Sequence, residues 1–210
     1  MPMNDRGFDL WADGYDTSVR VSDEENTYPF AGYKQVLNRI YAAVRSSGSR
    51  RVLDVGCGTA VLSRRLYAEG CTVTGMDFSR RMLDIAKEKM PGVRLLQWDF
   101  SRGLPPELRD ERFDAIVCTY ALHHLPDAQK ISFLRELCAH LAPGGQLLVG
   151  DIAFRTRAQW EACRQASGEE WDEDEFYFVF EELRRAFPGA EYEQISPCAG
   201  VLRLCAGGEA

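Results

Sequence analysis

"RVLDVGCGTA", Arg51 to Ala60, is the stretch on which the fold turns. "RVLDV" is rich in Val and Leu and reads as a buried strand. Gly56 and Gly58 follow one residue apart, a backbone turn that tolerates positive φ. "AVLSRRLYAEG" then has the pattern of a helix, stopped by Gly70. Strand, glycine turn and helix together open a βαβ unit, and the rest of the chain repeats the alternation.

Outward from that unit, "CTVTGM" is the next strand, and Ser79 is placed to cap "RRMLDIAKEKM". "VRLLQW" and "FDAIVC" are further strands, separated by the loop "SRGLPPELRDER". "DAQKISFLRELCAHL" predicts a helix with Asp127 at its cap and Ile131, Leu134, Cys138 and Leu141 on one face. "QLLVG" is a fifth strand. Alternation of this kind predicts an α/β fold, a doubly wound and mostly parallel sheet. The tail departs from it. "FYFVFEELRRAFPG" reads as a helix with Phe176, Phe180, Leu183 and Phe187 in one stripe, and "AEYEQIS" and "GVLRLCA" are close enough to pair antiparallel. Ahead of the core, Val36, Leu37, Ile40, Tyr41 and Val44 mark the inner face of a helix.

With 210 residues the chain suits one domain: an N-terminal lid and helix (1–48), a ligand-binding core (49–151), and a cap insert with a final helix and strand pair (152–210). A net charge of −7 disfavours nucleic acid and anionic membrane as partners. Neither a signal peptide nor a membrane-spanning run is expected. Seven scattered cysteines without a CxxC pair argue against disulfides and zinc knuckles and for a reduced, cytoplasmic protein. No metal site is expected. The acidic run "EEWDEDE", Glu169 to Glu175, reads as a solvated turn.

Ligands of a doubly wound sheet bind beyond the carboxyl ends of its strands. The turn there is not a P-loop, because no GxxxxGK[ST] occurs. Nor does it complete GxGxxG, since Val61 stands where the third glycine belongs. Asp54 beside the turn would repel a pyrophosphate and suits an ammonium group. Asp77, 21 positions beyond Gly56, can accept from both hydroxyls of a ribose. Asp99 ends the third strand, where it can accept from an adenine amino group. An amino acid, a ribose and an adenine without phosphate describe S-adenosylmethionine.

At this point the chain resembles the class I S-adenosylmethionine-dependent methyltransferases. Their [DE]xGxGxG motif is matched by "DVGCGTA", with Ala60 replacing the last glycine, and the likeness runs on through "GMDFS", "QWDF", "FDAIVCTYALHHL" and "LAPGGQLLVGD". The front "FDLWADGYD" and the tail are similar to small bacterial methyltransferases of the YrrT type. The resemblance implies a seven-stranded Rossmann-like sheet. It implies that Asp54, Gly56 and Gly58 surround the methionine end and that Asp77 holds the ribose. Phe78, Met82, Asp99 and Phe100 would bound the adenine, with Tyr120 and Tyr15 also at the cofactor. His123 and His124 are the candidate bases where the methyl acceptor approaches, with Asp151 on the same rim. Trp11, Tyr28 and Tyr33 are candidates for a lid that orders over the cofactor, and Trp160, Trp171, Phe176 and Tyr177 for the cap.

The expected activity is methyl transfer to a small-molecule acceptor by a monomer or homodimer. A non-catalytic binder of S-adenosylmethionine or its product is the alternative, and a nucleotide-dependent oxidoreductase a more distant one.

Overall fold

The computed structural model describes residues 28–205. Its elements in chain order are α1 (Tyr33–Ser46), β1 (Arg51–Val55), α2 (Ser63–Ala68), β2 (Thr72–Asp77), α3 (Arg80–Lys89), β3 (Arg94–Gln97), β4 (Phe113–Thr119), α4 (Asp127–Ala139), β5 (Leu141–Phe154), α5 (Arg157–Ser167), β6 (Phe178–Val179), α6 (Phe180–Leu183), β7 (Glu191–Gln194) and β8 (Ala199–Cys205). The main sheet has the order β3-β2-β1-β4-β5-β8-β7, with β6 pairing to β5 off that path. β1 to β5 run parallel, and β8 is antiparallel to both β5 and β7.

Alternation inside the apolar strands sorts the core into two layers. Val52, Val73, Ala115, Val117 and Leu148 face one side, where the stripe Val36, Leu37, Ile40 and Val44 of α1 packs with Leu66 of α2 and Ala86 of α3. Leu53, Val55, Ile116, Cys118 and Leu147 face the other, against Phe133, Leu134 and Leu137 of α4. Contact between α1 and the sheet depends on Gly150, where a Cβ would stand 2.3 Å from Val36 Cγ1. β1 lies between β2 and β4, so the strand order reverses there and a crevice opens at the carboxyl ends of β1 and β4.

Most expected elements are present, with instructive shifts. Ser79 caps α3 by accepting from Met82 N at 3.1 Å. α2 is shorter than its pattern predicts. Asp127 is the first residue of α4 rather than its cap, and the buried face is Lys130, Phe133, Leu134 and Leu137, one position away from the predicted stripe at Ile131 and Cys138. The helix predicted over 176–189 is mostly absent. β5 runs four residues past Gly150, the last of its residues to pair with β4 (at Thr119), and Phe178–Val179 pair as a strand with the open edge at Ala153–Phe154. Consecutive aromatic and β-branched residues take the extended form when such an edge is open. Only one helical turn, α6, remains. Among the described residues no helix is long and apolar enough to cross a membrane.

Candidate active site

The glycine turn leaves β1 with Gly56 at φ 67°, Gly58 at φ 50° and Ala60 at φ 63°. Gly56 N and Cys57 N both donate to Met76 O, at 2.8 and 3.0 Å, which pins the turn across the end of β2. A Cβ on Gly56 would lie 2.6 Å from Ala121 Cβ, so that position has neither the backbone nor the space for a side chain. Asp77, at the end of β2, accepts from Gly58 N and Ser79 N, both at 2.9 Å. One carboxylate therefore fixes the turn and the start of α3 together.

Asp54 is 1% exposed. Its Oδ2 accepts from Ser63 Oγ at 2.5 Å, while Oδ1 has no hydrogen-bond partner among the described residues. Burial is the main cause that pushes its pKa up to about 7; the Ser63 hydrogen bond opposes the rise and the charge of Asp77 adds to it. A buried acceptor left unpaired at a cleft wall is an acceptor for a ligand's donor.

The cleft above this turn spans about 1200 Å³ counted to its open mouth. Gly56, Gly58, Asp77, Phe78, Met82 and Phe100 line it at one end. Phe100 is stacked on Phe133 at 5.7 Å. Tyr120 lines the middle, buried and held at φ 50°, a conformation that costs an L-residue about 1–2 kcal/mol. The Tyr33 and Phe30 rings brace it at 5.0 and 5.6 Å. Asp99 does not belong to this lining: it is exposed, and its Oδ1 accepts from Ser101 N at 2.9 Å to cap a turn of 3₁₀ helix. Tyr15, Trp11 and most of the expected lid lie outside the described residues. Asp54, Asp77, Asp172 and Glu175 all line the cleft, and among the described lining residues there is no lysine or arginine.

The opposite end is built from three separate segments. His123 and His124 sit on a 3₁₀ turn after β4, their rings 4.1 Å apart. Asp151 of β5 is buried beneath them, and His123 Nδ1 lies 2.6 Å from its Oδ1, with His123 N donating to Oδ2 at 3.2 Å. Ile152 N also donates to Asp151, at 2.8 Å. Burial works against protonation of His123, but the charge and hydrogen bond of Asp151, helped by Glu175, outweigh it and raise its pKa above the ordinary histidine value. Burial and the His123 charge hold His124 below that value.

The third segment is 171–178. Its Glu175 places Oε1 3.5 Å from His123 Nε2 and 3.7 Å from His124 Nδ1. Phe176 N donates to His123 O at 2.8 Å, and the buried Lys130 ammonium donates to Phe176 O and, at 3.0 Å, to Asp127. Tyr177 OH donates to Glu175 Oε2 at 2.7 Å and also meets Tyr28 OH. Tyr28 stacks on Trp171 at 5.2 Å and accepts from Asp172 N. Trp160, Trp171 and Tyr177, expected to cap the cleft, cluster with Tyr28 instead of lining it, with Trp160 set edge-on to Trp171 at 5.3 Å. Phe176 differs, being 39% exposed. The acidic run is not a merely solvated turn. Trp171 within it is buried, and nothing local in the sequence distinguishes Glu175 from its acidic neighbours.

Residues 52–145 match a family model described as a methyltransferase domain. An uncharacterized methyltransferase of Anoxybacillus flavithermus is 39% identical over 155 residues, covering 74% of this chain and 70% of the relative. One from Oceanobacillus iheyensis is 34% identical and covers 86% and 84%. Among solved structures, a DhpI complex with S-adenosylhomocysteine superimposes with a TM-score of 0.70 at 20% identity, over 94% of this chain and 92% of that one. Magnesium protoporphyrin IX methyltransferase from Synechocystis, also with S-adenosylhomocysteine, gives 0.70 at 18% identity over 93% and 95%.

Proposed function

Because the chain belongs to the class I S-adenosylmethionine-dependent methyltransferases, we propose that it methylates a small molecule held between the glycine turn and the histidine pair. The observation that carries this reading is the unpaired Oδ1 of Asp54, buried at the wall of the cleft beside Gly56 and Gly58. It fits an ammonium donor, and the glycine turn leaves room for a ligand to lie against backbone. Asp54, Gly56 and Gly58 would hold the amino-acid end of S-adenosylmethionine and Asp77 its ribose. Phe78, Met82 and Phe100 would enclose the adenine, and Tyr120 would sit beside the sulfur.

When bound, S-adenosylmethionine supplies an electrophilic methyl group on a sulfonium leaving group. What remains for the protein is alignment, water exclusion and removal of the acceptor's proton. Tyr120, braced by Phe30 and Tyr33, forms the wall between the two halves of the cleft. Asp172 and Glu175 line the acceptor end, and Tyr28, Trp171 and Tyr177 pack behind them and hold that segment in place. His123, oriented by Asp151, and with it His124 and Glu175, face the acceptor and govern how it loses its proton. The carboxylate lining and the net charge of −7 favour an acceptor that is not a nucleic acid. All seven cysteines are free thiols, in keeping with a reducing, cytoplasmic setting.

Calorimetry with S-adenosylhomocysteine on the full chain, wild type and Asp77→Ala, tests the cofactor half. Tight binding that Asp77→Ala weakens by about 1–3 kcal/mol is expected. Unchanged affinity in the variant would remove Asp77 from the site. A screen of cell metabolites for S-adenosylhomocysteine release tests the acceptor half. Binding with no turnover across the whole pool would make the protein a binder instead.

A further inference from the structure

We propose that the acceptor end of the cleft is a divalent-cation site, with His123 Nε2, His124 Nδ1 and Glu175 Oε1 as ligands and at least one coordination position open to the methyl acceptor. The three atoms lie within 4.8 Å of one another. Two of the separations, 3.5 and 3.7 Å, are close to the roughly 3.3 Å edge of a tetrahedron built on bonds of about 2.0–2.1 Å. At those lengths neither contact is a hydrogen bond.

The surroundings are those of a metal site. Asp151, a buried acceptor, accepts from His123 Nδ1–H, which orients the ring so that Nε2 faces Glu175. Carboxylate, histidine and metal in that order is a recurrent arrangement that fixes the tautomer and raises ligand basicity. Glu175 is oriented in the same way: Tyr177 OH occupies Oε2 and so presents Oε1 to the imidazoles. The segment carrying Glu175 is tied to His123 through Phe176 N and to α4 through Lys130, so the donors are held before any ion arrives. Two imidazole nitrogens and a carboxylate oxygen converge on one point. A single proton can join only two of them, whereas a cation joins all three. The charges of Asp151 and Glu175 together balance a dication.

Two nitrogens and one oxygen, three protein ligands in all, suit Zn²⁺ or a cation of similar character. The use of the site rests on the methyl-transfer reading; its existence does not. A hydroxyl or thiol bound at the open position would release its proton to solvent. The electron pair left on that atom forms the bond to the methyl carbon, as the carbon–sulfur bond breaks and its pair stays on sulfur.

The test uses the untagged full chain, stripped with a chelator and titrated with Co²⁺ and with Zn²⁺. One equivalent is expected to bind, with visible d–d absorption from Co²⁺ that Zn²⁺ abolishes. Glu175→Gln and His124→Ala should each weaken Zn²⁺ binding at least tenfold, and Asp151→Asn by about 10–100-fold. His140→Ala, away from the site, should leave it unchanged. S-adenosylhomocysteine affinity reports in parallel that each variant is folded. A chain that binds S-adenosylhomocysteine but takes up no metal, or takes it up equally well as Glu175→Gln and His124→Ala, overturns the cation site and leaves the methyltransferase reading standing. Metal uptake without S-adenosylhomocysteine binding does the reverse.

Discussion

The two ends of the cleft are made in different ways. The glycine-turn end comes from neighbouring parts of the chain: the ends of β1 and β2 and the turns after them, all between Asp54 and Phe100. The histidine end joins residues near 28, 123, 151 and 175, brought together by the sheet and by long-range hydrogen bonds such as Tyr28 to Asp172 and Lys130 to Phe176. A site built from successive strand ends writes itself into spacing. A site built from distant segments leaves only residue types, without neighbours to give them meaning.

The difference predicts that damage at one end spares the other. The largest effect is expected at Gly56→Val. The side chain must take φ 67° and enter space held by Ala121 Cβ, costing about 1–2 kcal/mol for the backbone and about 1–3 kcal/mol for overpacking. Chemical denaturation should show a loss of about 2–5 kcal/mol, and S-adenosylhomocysteine binding should vanish. A variant of wild-type stability would mean the turn is looser than described.

At the other end, Asp151→Asn removes the charge that orients His123. Turnover should fall about a hundredfold while S-adenosylhomocysteine affinity stays within about twofold. Equal losses in both measurements would erase the distinction between the halves.

A middle-sized effect is expected in the pH dependence of cofactor binding. Asp54 has its pKa raised to about 7, so in the free protein it is largely protonated below that pH and ionised above it. An ammonium group needs the ionised form, so binding should release a proton and tighten about tenfold from pH 6 to pH 8. Stability runs the other way. A carboxyl raised on folding stabilises the free protein fully below its unfolded pKa, and that contribution is lost as pH rises through about 7. Asp54→Asn should therefore stabilise the free protein at pH 8 while flattening the binding profile; a profile still rising in that variant would place the titrating group elsewhere.

The smallest effect belongs to Ala60→Gly. Relief of the φ 63° conformation is offset by greater freedom of the unfolded chain and loss of a buried methyl. Stability should move by less than about 1 kcal/mol, with cofactor affinity unchanged. A larger gain would show that the alanine is under real strain.

The same contrast explains what could be read in advance. The parallel strands, the Ser79 cap and the inward stripe of α1 follow from periodicity, because each is local. Asp99 has the same strand-end position as Asp77, but its strand ends at an exposed turn where the carboxylate accepts from Ser101 N. Phe176, Phe180, Leu183 and Phe187 have helical spacing, yet Phe178 and Val179 among them pair with the open edge of β5, which outweighs periodicity. Lys130 was hidden on a charged helix, although its ammonium is buried against Phe176 O. Glu175 had no signature at all. Its identity as a site residue depends on His123 and Tyr177, and those contacts exist only in the folded chain.

A cleft lined by carboxylates, with no lysine or arginine in its described lining, also distinguishes the fresh cofactor from the spent one. Methyl transfer turns a sulfonium into a neutral thioether, so one positive charge disappears from a space where Asp54 and Asp77 are fixed. At an effective dielectric of about 20, a carboxylate roughly 10 Å from a unit positive charge loses on the order of 1–2 kcal/mol of attraction when that charge disappears. In the proposed binding mode the chemical step would loosen the grip on its own by-product, and the exit of S-adenosylhomocysteine would be eased by the same negative charges that favour the entry of its precursor.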